Sequence, residues 1–295
     1  MNTTLARIFV LSLFAMLLPS SLTAQIKLTF TSIKAPDGSD TFAFGINARG
    51  DVVGIDGTGS YLLHNHHLSP VPPPTGDTIN AHAINAEHDI AGVLQDAKGP
   101  HGFFLHEGTF HLIDFPGAVA TRVRGVNNAG DVTGSYVDGG GVVHGFIRKD
   151  GEFKHVQVNN SAATDVYGSK DNGEVMVGDA VLNPDLSTHG FIKTRDDGFR
   201  IIDFPGTKTP CTHVRGINEH GDIVGFYSIV SSVAECNNMP LAHGFLLRQG
   251  HYITVDFPGA EDSLLMSIND DGVMVGIVND RVRVKITGFR ATPKD

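Results

Sequence analysis

The sequence predicts an all-β protein: a six-bladed β-propeller of four-stranded blades, the last blade closed by the N-terminal strand. Three observations carry this. A 45-residue sentence, clearest at Gly216 to Ala260, recurs in recognisable pieces along the chain. Its fixed glycine stands at Gly54, Gly92, Gly134, Gly178, Gly225 and Gly276, with gaps of 38, 42, 44, 47 and 51 residues. Four-stranded propeller blades repeat at about 40–45 residues. Finally, the first and last copies have complementary defects, which a closed ring would repair.

The clearest copy reads as four strands. Thr212 to Ile217 alternates apolar and polar residues, as a half-buried strand does. Asn218-Glu219-His220-Gly221 is a turn signal, since Asn and Gly tolerate positive φ. Asp222 to Tyr227 is the second strand and Gly244 to Leu247 the third. Tyr252 to Phe257 is the fourth, ended by Pro258-Gly259 because proline cannot donate to a ladder. No stretch after the leader keeps a helical period for ten residues. One such sheet has two partly apolar faces, and radial stacking buries both.

Taken in order, residues 1–24 read as a secretory leader. Arg7 is the positive start, Ile8 to Leu18 the apolar core and Leu22-Thr23-Ala24 the small-residue exit. The apolar run is too short to span a bilayer. Residues 25–295 then form a single propeller domain. Residues 26 to 35 (IKLTFTSIKA) match a fourth strand with no first three before it. Copy one, Thr41 to Gly76, keeps FGINARGDVVG but has SYLLHNHH as its third strand and VPPPTG in place of DFPG. Copy two reads TINAHAINAEHDIAG, then HGFFLHEGTFHLIDFPGA. Copy three has lost DFPG, and copy four carries an extra turn residue in GSKDNGEVMVG. Copy five holds the longest insert, from Gly225 to His243. Copy six runs to Thr287-Gly288-Phe289 and stops before a fourth strand. The N-terminal strand is therefore expected to complete it, because an open ring would leave an unpaired edge.

The recurring GIN, GDIVG, HGFLL and DFPGA phrases resemble the HAF-repeat family of bacterial extracellular proteins. The resemblance covers nearly all of the chain after the leader. It implies secretion and a repeat β architecture, and it brings no catalytic residues with it. The third-strand motif here is His-Gly-Phe rather than His-Ala-Phe, and copies one and six lack the histidine.

Composition narrows the partners. The leader removes one cation and no acid, taking the formal charge from −10 to −11. That opposes nucleic acid and anionic membranes, which need a basic face. Cys211 and Cys236, in an oxidising compartment, are expected to form a disulfide that pins the long insert. Loop closure of that length contributes about 3 kcal/mol in the chain-entropy account.

Repeated polar residues are read as structural. His101, His144, His189 and His243, each before Gly-Phe, fall one per blade, too far apart for one ion. Asp114, Asp203 and Asp256 of DFPG are spread in the same way, unlike a glycosidase acid pair. The DxDxDG spacing of calcium loops is absent. No metal and no cofactor are expected.

The informative positions lie one and three residues before each GIN-type asparagine's glycine. They are Phe42 and Phe44, Asn80 and His82, Arg122 and Arg124, Asp165 and Tyr167, His213 and Arg215, and Leu264 and Met266. The residue between is always small or aliphatic and is assigned to packing between blades. The flanking set then lines a central channel. His82, Arg122, Arg124, Asp165, Tyr167, His213 and Arg215 become the candidate ligand-binding residues, suited to a carboxylate, sulfate or phosphate. Pairing of the arginines with Asp165 and water is the competing account. The expected function is a secreted binding or interaction module for an extracellular or periplasmic protein, a glycan or a small anion. The alternatives are a lyase or hydrolase acting on an anionic glycan and a ligand-free structural surface protein.

Overall fold

The computed structural model describes residues 26–74, 76–237, 241–281 and 284–294. The leader expected at 1–24 lies outside the described residues. The fold is all-β and propeller-like. Strand β1 (Leu28–Ile33) comes first. Copy one supplies β2 (Thr41–Ile46), β3 (Val52–Asp56), β4 (Gly59–His64) and β5 (His67–Pro70). Copy two supplies β6 (Thr78–Ile84), β7 (Ile90–Asp96), β8 (Gly99–His106) and β9 (Thr109–Ile113). Copy three supplies β10 (Ala120–Val126), β11 (Val132–Val137), β12 (Val143–Lys149) and β13 (Glu152–Val156). Copy four supplies β14 (Ser161–Ser169), β15 (Met176–Leu182), β16 (Ser187–Thr194) and β17 (Gly198–Ile201). Copy five supplies β18 (Thr212–Ile217), β19 (Ile223–Ser228), helix α1 (Val233–Asn237), β20 (Ala242–Arg248) and β21 (His251–Thr254). Copy six supplies β22 (Asp262–Ile268), β23 (Met274–Asp280) and β24 (Lys285–Pro293).

Copies one, two and five are four-stranded antiparallel sheets, and copies three and four share an eight-stranded sheet joined by the parallel pair Val143–Ala163. The last sheet runs β1-β24-β23-β22, so the N-terminal strand is hydrogen-bonded to the C-terminal one, Leu28 opposite Pro293 and Ile33 opposite Gly288. The first strands β2, β6, β10, β14, β18 and β22 pack against one another in turn, and β22 returns to β2. They surround an axis, with the fourth strands outermost and most exposed.

Two glycine classes explain how the repeat is built. In every copy the first strand carries a β-bulge opposite the repeat glycine of the second strand. Val123 pairs with Gly134 and Gly125 with Thr133, leaving Arg124 as the extra residue. The same shift leaves out Phe44, His82, Tyr167, Arg215 and Met266. A Cβ on the second-strand glycine would stand 1.8–2.1 Å from the first-strand carbonyl oxygen of Phe42, Asn80, Arg122, Asp165, His213 or Leu264. No side chain fits there. The second class is the glycine of His-Gly-Phe, which leaves room for the next copy's packing residue. A Cβ on Gly190 would lie 2.5 Å from Val214, and one on Gly288 would lie 3.2 Å from Ala43. Those packing residues (Ala43, Ala81, Val123, Val166, Val214 and Leu265) are all fully buried, as their position in the alternation predicts. The aromatic after the glycine (Phe103, Phe146, Phe191, Phe245 and Phe289, with Tyr61 in copy one) fills the centre of each sheet.

Candidate functional site

The repeat asparagine tightens one end of the axis. Its side-chain oxygen accepts the N–H groups of the turn, as in Asn47 with Arg49 at 3.0 Å and Asp51 at 2.9 Å. Its amide then donates to a backbone carbonyl of the next copy. Asn47 reaches Asn85 at 3.1 Å, Asn85 reaches Asn127 at 3.3 Å, and Asn127 reaches Lys170 at 3.0 Å. Lys170, which replaces asparagine in copy four, donates Nζ to Glu219 at 2.8 Å. Asn218 reaches Asn269 at 3.1 Å, and Asn269 returns to Asn47 at 3.0 Å across 222 residues of sequence. The turn reading explained only the first half of this bonding.

The repeated histidines and aspartates pair inside their own sheets. His101 meets Asp114 at 2.9 Å, His189 meets Asp203 at 2.7 Å and His243 meets Asp256 at 2.8 Å. In copy three, which lost DFPG, His144 turns to Gln157 at 2.9 Å instead. These pairs tie third strand to fourth, in line with a structural role. Cys211 and Cys236 are bonded, their Cα atoms 5.6 Å apart. The bridge holds α1 in the long insert, where the helix packs against β16 of the preceding copy.

The bulge decides what faces the axis, because an extra residue without a cross-strand partner is re-aimed out of the ladder. All six bulged residues converge there. Two small cavities, of about 80 and 100 Å³, lie towards the asparagine end. Beyond them opens a cavity of about 320 Å³, lined by Phe44, His82, Arg124, Tyr167, Arg215 and Met266 together with Phe226, Leu264 and Ile277. Larger grooves of about 540 and 790 Å³ lie between neighbouring sheets. Their walls are mostly turns and sheet edges, whereas the axial cavity is where all six copies meet.

Of the seven residues chosen from sequence, His82, Arg124, Tyr167 and Arg215 line this cavity. Arg122, Asp165 and His213 stand one layer away. Asp165 and His213 still touch the cluster: Asp165 lies 3.6 Å from Arg124 Nε, and His213 is 3.1 Å from Asp179. The Arg122 side chain makes no hydrogen bond or ion pair among the described residues.

Asp179 is the functional residue that sequence reasoning missed. It follows the repeat glycine of β15, a position held by Ile55, Val93, Ser135, Phe226 and Ile277 in other copies. A charge standing alone in that column was the available signal. Asp179 accepts from Arg215 at 2.5 Å and from the Val214 backbone N–H at 2.7 Å. Burial alone would raise its pKa, but Arg215 and His213 outweigh that and hold it below the ordinary carboxylate range. The Arg215 guanidinium carbon also lies 3.9 Å from the centre of the Tyr167 ring and 4.9 Å from that of Phe226. Such cation–π contacts contribute about 0.5–2 kcal/mol. Arg215 is thus neutralised and fixed in place.

Arg124 is placed differently. One terminal nitrogen donates to His82 Nδ1 at 3.1 Å. Burial, helped by that guanidinium, pulls the His82 pKa down to about 3, so its imidazole is neutral and accepts. Arg124 Nε is buried without a hydrogen-bond partner, and so is Asp165 Oδ1. Burial pushes the Asp165 pKa up, against the pull of Arg124 and Arg215, while nearby Asp179 adds to the rise and Ser135 opposes it. Burial also pushes Tyr167 up to about 12. The ionised form of Asp165 is therefore less favourable folded than unfolded. Asp165→Asn should raise the melting temperature at pH 7, and the gain should disappear below the model-compound value of 3.8, where both states are protonated. A lower melting temperature than wild type at pH 7 would mean that the Arg124 pairing outweighs burial.

No helix among the described residues is long and apolar enough to cross a membrane. No protein-family model matches the sequence, and no curated protein matches it. Solved structures do resemble the fold. One is a triple arginine-to-alanine mutant of AofleA from Arthrobotrys oligospora, with TM-score 0.52 and 12% identity over 90% of this chain and 86% of that one. Another is a gluconolactonase from Xanthomonas campestris, with TM-score 0.54 and 10% identity over 93% of each chain. At such identity these likenesses speak for the propeller-like fold alone.

Proposed function

We propose that this is a secreted HAF-repeat protein with six propeller blades, which binds a small organic anion with an apolar body in its axial cavity. The blade count rests on one four-stranded meander per copy, the eight-stranded sheet being two meanders joined by a single parallel pair. The binding reading rests on Arg124. Buried donors are nearly always satisfied, and an orphaned one needs a partner. Arg124 Nε is such a donor, with only the Asp165 carboxylate 3.6 Å away, and the rest of the Arg124 side chain lines a cavity whose other side is Phe44, Leu264, Met266 and Ile277. A carboxylate would meet the guanidinium while its apolar body lies on the aliphatic side. Arg215, already committed to Asp179, would supply a flat face rather than a free charge.

The likeness to a gluconolactonase raises a hydrolase as the alternative. The cavity argues for binding over general acid–base work, because His82 near 3 and Tyr167 near 12 stand far from neutral pH. The test is isothermal titration with benzoate, hexanoate and a uronate, on wild type and on Arg124→Ala and Arg124→Lys. At least one apolar carboxylate should bind wild type. Arg124→Ala should weaken it about 10–100-fold, the range expected for a charge-assisted hydrogen bond. No binding of any of the three, or binding that Arg124→Ala retains, would overturn the assignment. Steady hydrolysis of a sugar lactone would promote the alternative.

A further inference from the structure

We propose that Asp51, His64 and His88 form a zinc-type divalent metal site that clamps the first repeat copy to the second. Asp51 Oδ1 lies 2.7 Å from His64 Nδ1, and Asp51 Oδ2 lies 2.7 Å from His88 Nε2. The three donor atoms all lie within 4.8 Å of one another. Two imidazoles and one carboxylate, with a position left for water, are a familiar donor set for Zn²⁺ and its neighbours in the first transition row.

The other copies show what is unusual here. In copies two, three and five the aspartate after the turn takes the amide of its own turn asparagine and one basic partner from the end of its own third strand. Asp89 takes His106 at 2.7 Å, Asp131 takes Lys149 at 3.2 Å and Asp222 takes Arg248 at 2.6 Å. His64 is that ordinary partner in copy one. His88 is additional, and it comes from the turn of the next copy. Its position holds Gly50, Gly130, Gly173, Gly221 and Gly272 in the other copies, all at positive φ. His88 occupies the same left-handed conformation at φ 65°. A side chain there costs about 1–2 kcal/mol relative to glycine. The repeat thus accepts backbone strain at one turn, and the residue responsible is a ligand-type side chain aimed at the preceding copy's carboxylate.

The carboxylate is well prepared. Asp51 is 5% exposed and also accepts from Asn47 at 3.1 Å, which holds Oδ2 in place. The imidazoles are accessible, His64 at 47% and His88 at 34%, so they can rotate onto an ion. The proton balance is simple. Without metal each histidine donates an N–H to Asp51. On binding, His64 Nδ1 and His88 Nε2 give their lone pairs to the ion, and each imidazole carries its proton on the other ring nitrogen. For His64 that is Nε2, where Asn65 now donates at 2.8 Å. A flip of the exposed Asn65 amide would turn that contact into an acceptor for the new N–H, the kind of outer partner that orients metal-binding histidines. Arg290, which reaches this turn, is occupied with the Gly50 carbonyl at 3.3 Å.

Tag-free protein stripped with chelator would be titrated with Zn²⁺ and with Co²⁺, and melted with and without Zn²⁺. Wild type should bind one ion tightly, give the visible absorption of low-symmetry Co²⁺, and melt higher with Zn²⁺. His88→Gly restores the residue of the other copies, so folding should not suffer. It should weaken Zn²⁺ by more than about 100-fold, since lost outer partners alone cost 10–100-fold. It should also abolish the melting shift. His106→Ala, which breaks the corresponding single pair in copy two, should leave both signals intact. Absence of a one-to-one event in wild type, or its survival in His88→Gly, would overturn the proposal.

Discussion

A chain beginning at residue 36, without β1, should lose its cooperative melt and leave the monomer peak in size exclusion. Strand β1 covers the outer edge of β24, with six residue pairs from Leu28–Pro293 to Ile33–Gly288. Without it β24 becomes an unpaired edge, a template for pairing with other chains. The core loses substance too. Leu28 and Phe30 pack against the buried cluster around Leu246, Leu265, Met274 and Phe289. The Phe30 ring stands 5.6 Å from Phe257 and 6.0 Å from Phe289. Burying one such side chain contributes about 1.5–3 kcal/mol, so several together approach the 5–15 kcal/mol that holds a typical domain. Adding a peptide of residues 25–35 should restore the monomer. If the shortened chain stays monomeric and melts within a few degrees of the full one, closure by β1 is not what holds the last sheet.

The second large effect is expected from the smallest substitution. Gly225→Ala adds one methyl group, 2.0 Å from the backbone oxygen of His213. That neighbour is main chain in a bulged ladder and cannot rotate away. The bulge must open or the strands must part, and the loss should exceed about 3 kcal/mol, the upper end of ordinary overpacking. Gly139→Ala is the control, because no atom lies within 4 Å of its added Cβ and its φ is not positive. It should stay within about 0.5 kcal/mol of wild type. Urea unfolding of the two variants measures both. Equal, small losses would mean that the repeat glycine is not demanded by the bulge.

The sequence was most legible where constraints act within one copy. The strand order, the packing residues from Ala43 to Leu265 and the inward-facing residues beside them follow from a period of two and from turn chemistry. Both belong to the local chain. The disulfide was legible because two cysteines bracket one insert. The His-Asp pairing of third and fourth strands was legible only as a structural role, since a repeat says that a contact is regular and does not say with what.

The site was half legible. Alternation put residues three and one before the glycine on one face, and it could not separate them. The bulge did, turning Arg124 into the cavity and leaving Arg122 a layer away. Nor could alternation show that Arg215 meets Asp179, because the two belong to different sheets and touch only where those sheets adjoin.

By itself, then, the order of residues determined the repeating unit, its four strands, and the need of the first strand for the last sheet, since backbone hydrogen bonding and side-chain alternation are settled over a few residues. The tertiary structure alone decided which charges share the axis, how each asparagine reaches the next copy, and that His88 crosses to Asp51. Those contacts depend on the angle and distance between neighbouring sheets, quantities that no single copy contains.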